Sequence, residues 1–247
     1  MTSYQKDMDC FNRDDIVIEK PLKPAEFAEK KLLEAILDRT YRPGDSLPAE
    51  RRLAELLGVT RPTLRETLQR LSREGWVKIR QGKPTRVNDY LKQGGLGMLR
   101  SLAAHGQTLS NDMISHLLDV RITLFPGVAQ KAVSNDPEPL LSFLEQANGL
   151  KDDAKAFAEF DWGLQIQMIH AAQNPVYHMM FNDFKPLYHM LGETYFKRTI
   201  ARKASRQYYT DLTRAMRSGT GNEMGDTVKQ VVEDIMVRSL EIWQDIQ

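Results

Sequence analysis

Between Pro24 and about Arg39 the apolar residues Phe27, Ala28, Leu32, Leu33, Ile36 and Leu37 recur at three- and four-residue spacing, which predicts a helix with one buried face. Pro24 suits its first turn, where a missing N–H costs nothing. Turn residues follow in TYRPGDS. A second helix is predicted from Pro48 to Leu57, with Leu53, Leu56 and Leu57 facing inward. Gly58 sits just past its end, where a left-handed residue closes a helix. Thr60 holds an N-cap position and Pro62 the first turn of a third helix, which runs to about Glu74 with Leu64, Leu68 and Leu71 inward. WVKIR then alternates apolar and polar residues, QGKP makes a tight turn, and TRV continues as a second short strand. Three helices closed by a hairpin make a winged helix-turn-helix.

The pattern changes after this unit. Residues 1–21 lack sustained periodicity and read as a tail, and the winged unit spans 22–88. Residues 89–95 read as a linker, since NDYLKQGGLG holds three glycines. From 96 to 247 every periodic stretch is helical: MISHLLDVRITLF, FAEFDWGLQIQMIHAA, VYHMMFNDFKPLYHML and VKQVVEDIMVRSLEIW. Breaks are expected at 135–139, 173–175 and 218–225. The fold class is therefore mainly α: a winged helix-turn-helix of three helices and a two-stranded wing, joined to an all-α bundle.

Composition narrows the class. The 247 residues are 41% hydrophobic and 27% charged, ordinary for a globular protein with two modest cores. No apolar run is long enough to cross a membrane, and the polar, acidic N-terminus is no secretory signal, so a cytoplasmic protein is expected. The one cysteine, Cys10, cannot form an internal disulfide and, set in an acidic tail, makes a poor nucleophile. No nucleophile elbow, P-loop or dinucleotide fingerprint occurs, so no catalytic residues are assigned.

Net charge is only +1, but its distribution is uneven. Residues 51–86 hold ten basic and three acidic side chains, a net +7, against −3 for 1–50 and −3 for 87–247. Such a segment is either a polyanion-binding element or a solvated charged face. Its placement decides. A helix that enters the major groove needs donors near its N-terminus, cations and hydroxyls for phosphates, and an apolar back. The third helix has all three, with Thr60, Arg61, Thr63 and Arg65 at its start. Arg51, opening the second helix, can reach the same groove. The tip Gln81, Gly82 and Lys83 suits a minor-groove or phosphate contact. Arg70 and Arg73 lie farther along and read as phosphate contacts or plain surface.

The stretch LPAERRLAELLGVTRPTLRETLQRLSREGWV resembles the DNA-binding domain of the GntR superfamily, whose pattern runs LPSERxLAxxLGVSRxxVRxALxxLxxEG. QGKPTRVN resembles the wing of its FadR subfamily of fatty-acid metabolism regulators, and the likeness continues through AFAEFDWG, NPVY, FKPLYHMLGETYF and SLEIW. It departs at Gln81, where the subfamily pattern has histidine, and at Arg52, where it has glutamate. Residues 1–20 have no counterpart. The resemblance implies a homodimer on a palindromic double-stranded operator, contacted by Arg51, Thr60, Arg61, Thr63, Arg65, Gln81, Gly82 and Lys83.

For the helical domain the resemblance leaves two effectors to weigh. Many GntR-type domains hold a metal through an Asp-x-x-x-His pair and two later histidines. Here Asp161 is followed by Gln165, a poor ligand, and the histidines are His105, His116, His170, His178 and His189, with none beyond. No metal and no other cofactor is expected. The FadR alternative is a long-chain fatty acyl-CoA, which needs an apolar tunnel and a cationic mouth. Met168, Met179, Met180, Phe181, Phe184, Leu187, Met190 and Leu191 could line a tunnel or simply fill a core. Ligand contacts implied are Arg121, Tyr177, Tyr188, Ser239 and Trp243. Ile235 and Met236 replace a tyrosine and a glycine of the subfamily pattern. Three rival readings remain: a GntR-type regulator of a small organic acid, an acyl-CoA enzyme such as a thioesterase, and a non-sensing architectural DNA binder.

Overall fold

The computed structural model describes residues 22–104 and 109–245. The predicted tail with Cys10, and His105, lie outside them. The chain divides into two compact units, Met1–Tyr90 and Leu91–Gln247.

In the first unit, α1 (Pro24–Leu37), α2 (Glu50–Leu57) and α3 (Arg61–Glu74) precede strands β1 (Val77–Lys78) and β2 (Arg86–Val87). The core is the predicted one: Ala28, Leu32, Leu33, Ile36, Leu53, Leu64, Leu68 and Leu71 are buried. Leu56 is the exception, 57% exposed, because Leu53, Ala54 and the half-buried Leu57 already define the inner face of so short a helix. Gly58 closes α2 at φ +65°, as its place after the last apolar residue predicted. Gly75 closes α3 the same way at φ +95°. The strands pair antiparallel, Val77 against Val87 and Lys78 against Arg86. Residues 44–47 run along the other edge of β2, with Leu47 N donating to Thr85 O at 2.8 Å and Val87 N to Asp45 O at 2.9 Å. The wing root is thus paired on both sides. Asn88 fastens it to α3: its side-chain amide donates to Gly75 O at 2.8 Å and its backbone N–H to Trp76 O at 2.9 Å.

The segment read as a linker contains a one-turn helix, α4 (Tyr90–Gln93), too short to leave a periodic signal. The second unit is helical throughout its described residues: α5 (Gly97–Ala104), α6 (Asn111–Asn135), α7 (Glu138–Glu145), α8 (Ala154–Ala171), α9 (Pro175–Phe196), α10 (Thr199–Ser218) and α11 (Gly221–Gln244). Helix α6 packs chiefly on α11, α11 on α10, α8 on α9 and on α6, and α5 on α9. The three expected breaks are present, the last confined to Gly219 and Thr220. Other interruptions fall outside the expected ones: a 3₁₀ turn at Gln146–Gly149, marked by the pair Asn148 and Gly149 but not read as a break, and the bend at Lys197 and Arg198 between α9 and α10, which has no glycine or proline. Pro126 lies inside α6 and Pro186 inside α9, and both helices run on because apolar periodicity resumes beyond them.

Candidate nucleic-acid interface and effector cavity

The start of α3 is built to present side chains. Thr60 caps it, its hydroxyl accepting from Thr63 N at 3.3 Å and lying 2.8 Å from Thr63 Oγ1. Buried Thr67 donates to Thr63 O at 3.0 Å. With Leu64, Thr67, Leu68 and Leu71 turned inward, Arg61 and Arg65 are left on the exposed face. Arg65 is held there: its Nη2 donates to Glu50 Oε2 at 2.9 Å and its Nε to the same oxygen at 3.3 Å. Arg51 is 80% exposed, with Nε 3.4 Å from Glu55 Oε1. Arg52 shares that carboxylate at 3.6 Å. Gln81, Gly82 and Lys83 form the exposed wing tip. Lys83 N donates to Arg80 O at 3.1 Å, and Gly82 has φ +69°, a left-handed conformation that a side chain there would strain.

These residues lie in one compact unit. Arg51, Thr60, Arg61 and Arg65 sit at the beginnings of two consecutive helices, and Gln81, Gly82 and Lys83 at the hairpin tip. Arg70 belongs elsewhere. Its Nε lies 2.9 Å from Glu29 Oε2, and Glu29 on α1 is 3% exposed, so Arg70 ties α3 to α1 instead of standing free for phosphate.

In the second unit a cavity of about 100 Å³ opens between α6, α8, α9, α10 and α11. Its walls are mostly apolar, with Ile114, Leu118 and Leu124 from α6, Phe181, Leu187 and Leu191 from α9, and Ile235 and Met236 from α11. Among the residues expected at a ligand, Arg121, Tyr188, Ser239 and Trp243 line it. Tyr177 does not: it stands on the same stripe of α9 one turn before Phe181, beyond the cavity's end, and packs on the core. Of the tunnel candidates, Phe181, Phe184, Leu187 and Leu191 face the cavity. Met168 is core at 0% exposure, and Met179 is 68% exposed.

The polar part of this wall centres on Asp161. Its Oδ2 accepts from Gln165 Nε2 at 2.8 Å and, at closer range, from the Tyr188 hydroxyl. Its Oδ1 accepts from Tyr209 Oη at 3.2 Å. Three donors already satisfy the one acid of the incomplete metal motif, and among the described residues no group of three metal-ligating side chains forms. Burial, reinforced by the charge of Asp161, pushes the phenols of Tyr188 and Tyr209 well above their usual range, so both stay protonated donors. The Arg121 guanidinium lies 5.6 Å from the centre of the Tyr188 ring. On α11, Ser239 accepts from Tyr195 Oη at 3.2 Å and donates to Ile235 O at 2.7 Å, while Trp243 stacks on Tyr195 at 6.4 Å. Sequence reasoning missed Tyr195, which joins α9 to α11. It also missed Tyr208 and Tyr209 of α10, which bears no motif but does bury a stripe at helical spacing, Ala201, Ser205, Tyr208, Leu212 and Ala215.

Comparison with known proteins agrees with this architecture. Residues 24–87 match the family described as bacterial regulatory proteins, gntR family, and residues 88–247 match the FadR C-terminal domain. The fatty acid metabolism regulator protein of Pectobacterium carotovorum is 40% identical over 228 residues, 92% of this chain and 94% of that one. The protein of the same description from Shewanella amazonensis is 36% identical over 224 residues, 91% of this chain and 92% of its own. A solved structure of Lar, described as controlling expression of the Listeria monocytogenes agr system, covers 93% of this chain and 100% of its own at 16% identity, with a TM-score of 0.61. That likeness is one of fold. No described helix is long and apolar enough to cross a membrane. The chain belongs to the GntR family of bacterial regulatory proteins and carries the FadR type of C-terminal domain.

Proposed function

We propose that this chain regulates the transcription of fatty-acid metabolism genes, binding a palindromic operator as a homodimer and leaving it when a long-chain fatty acyl-CoA enters the cavity of the second unit. The observation that carries the reading is the cavity itself: an apolar space bounded by five helices, with a cationic and hydroxylic wall formed by Arg121, Tyr188 and Ser239. The relatives described as fatty acid metabolism regulators support the choice of ligand. On the DNA side, Arg61 and Arg65 would read base edges, Thr60, Thr63 and Arg51 would hold the adjacent backbone, and Gln81, Gly82 and Lys83 would contact the minor groove or its phosphates.

Release follows from differential binding. At about 100 Å³ the cavity falls short of the roughly 300–1,000 Å³ that small-molecule sites occupy. An acyl chain therefore has to push side chains of α6, α9 and α11 apart. The ligand binds the state so displaced, and DNA binds the other, so each weakens the other by the same factor.

The test is a fluorescence-anisotropy titration on a FadR-type palindrome, repeated with palmitoyl-CoA, free palmitate and free CoA. Release by palmitoyl-CoA alone supports the reading. Binding that none of the three reverses overturns the ligand and turns the search toward small organic acids. Failure to bind the palindrome overturns the operator assignment, with Gln81 and Arg52 the first residues to revert.

A further inference from the structure

Gln165 is 3% exposed and lines the cavity. Its Nε2 donates to Asp161 Oδ2 at 2.8 Å, which fixes the orientation of the amide, because the flipped form would set an oxygen against a carboxylate. Gln165 Oε1 is thereby directed away from Asp161, and it is buried with no hydrogen-bond partner. Arg121 Nε, also buried, has none either. The two groups belong to one wall. Gln165 and Tyr188 meet the same oxygen of Asp161, and the Arg121 guanidinium lies over the Tyr188 ring. The neighbouring polar groups are satisfied within the protein, Tyr188 on Asp161 and Tyr195 on Ser239. Beside those satisfied groups stand one buried acceptor, Gln165 Oε1, and one buried donor, Arg121 Nε, each carrying the cost of an unmade bond, in a wall that also holds Ser205 and Tyr208.

Building on the acyl-CoA reading above, we propose that Gln165 and Arg121 form a subsite for a hydroxyl group carried on the acyl chain, so that the preferred effector is a hydroxylated long-chain acyl-CoA. A hydroxyl supplies both functions in one group, an O–H to donate to Gln165 Oε1 and an oxygen to accept from Arg121 Nε. A ketone has no hydrogen for Gln165. A carboxylate would accept from Arg121 but set its charge against Gln165 Oε1 and Asp161. A saturated chain leaves both groups unpaired, and a site made to bond a hydroxyl discriminates against the ligand that lacks it.

The experiment is calorimetric titration of the full chain with palmitoyl-CoA and with isomers hydroxylated alpha to the thioester, beta to it, or at the chain end. One isomer is expected to bind at least about tenfold more tightly than palmitoyl-CoA. In Gln165→Leu that preference is expected to fall to about twofold or less. If every isomer binds the wild-type chain within about twofold of palmitoyl-CoA, a water alone completes the pair; the subsite is overturned while the acyl-CoA reading stands. A preference that survives Gln165→Leu places the hydroxyl elsewhere and also overturns it. If neither palmitoyl-CoA nor any isomer binds, both readings fall. The wild-type comparison needs no variant to fold.

Discussion

Arg65 and Glu50 are joined across the turn between α2 and α3, the Arg65 Nη2 donating to Glu50 Oε2 at 2.9 Å. The arginine proposed to read the operator is therefore aimed by a carboxylate that DNA phosphates would repel. Glu50→Gln removes that charge and loosens the arginine. The expected result is tighter binding to arbitrary duplex, by a few-fold, with a lower ratio of operator to arbitrary affinity. Stability should move by less than about 1 kcal/mol, since Arg65 is 62% exposed and exposed pairs contribute little. Anisotropy on both duplexes checks this, and an unchanged ratio would count against the aiming role.

Arg61 and Lys83 are expected to fail in different ways. Arg61→Ala should cost about 1–3 kcal/mol on the operator and little on arbitrary DNA, because a base contact carries sequence information. Lys83→Ala should weaken both DNAs evenly and flatten the slope of log affinity against log salt by about 0.9, one phosphate's share of counterion release. Equal behaviour of the two variants in a salt series would remove the distinction between reading helix and wing.

Gly219 and Gly127 test the packing of the second unit. A Cβ on Gly219 would stand 2.8 Å from Met224 Cα and 3.1 Å from Ala215 O, so the backbone between α10 and α11 would have to shift. Gly219→Ala should cost about 1–3 kcal/mol. Gly127, on the exposed side of α6, has nothing within 4 Å of a Cβ. Gly127→Ala should stabilise by about 0.5–1 kcal/mol through helix propensity. Thermal melts of the two variants should move in opposite directions.

The winged unit was largely legible in the sequence because its signals are local. Thr60 caps, Pro62 starts and Gly58 stops a helix within a few residues of where each acts. The stripe Leu64, Leu68, Leu71 marks a buried face without reference to any other segment. The second unit was legible from periodicity as helices only, and Arg121, Tyr188, Ser239 and Trp243 of its cavity wall were reached through the family resemblance. Asp161, Gln165, Tyr188 and Tyr209 come from three helices and meet only once α8, α9 and α10 have packed. Tyr177 shares the stripe of Tyr188 and differs from it only in height along α9, a distinction periodicity cannot carry. Arg70 looked like a surface cation because its partner, Glu29, is forty-one residues away.

Four phenols give the second unit a dependence on alkaline pH. Burial raises Tyr188, Tyr195, Tyr208 and Tyr209 above the ordinary value of 10.0, and the charge of Asp161 adds to the effect at each. The folded state thus keeps protons that the unfolded chain releases. A raised value contributes stability that is whole below pH 10.0 and is lost as pH climbs from there toward the folded values. Each unit of elevation corresponds to about 1.4 kcal/mol. These four of the chain's eight tyrosines should stay un-ionised past pH 10.0, then ionise together as helical ellipticity collapses. An absorbance titration of phenolate run beside circular dichroism checks this. Ionisation of these four near pH 10.0 with the helices intact would show that the cavity wall is open to solvent, and the buried donor set around Asp161 would then have to be abandoned.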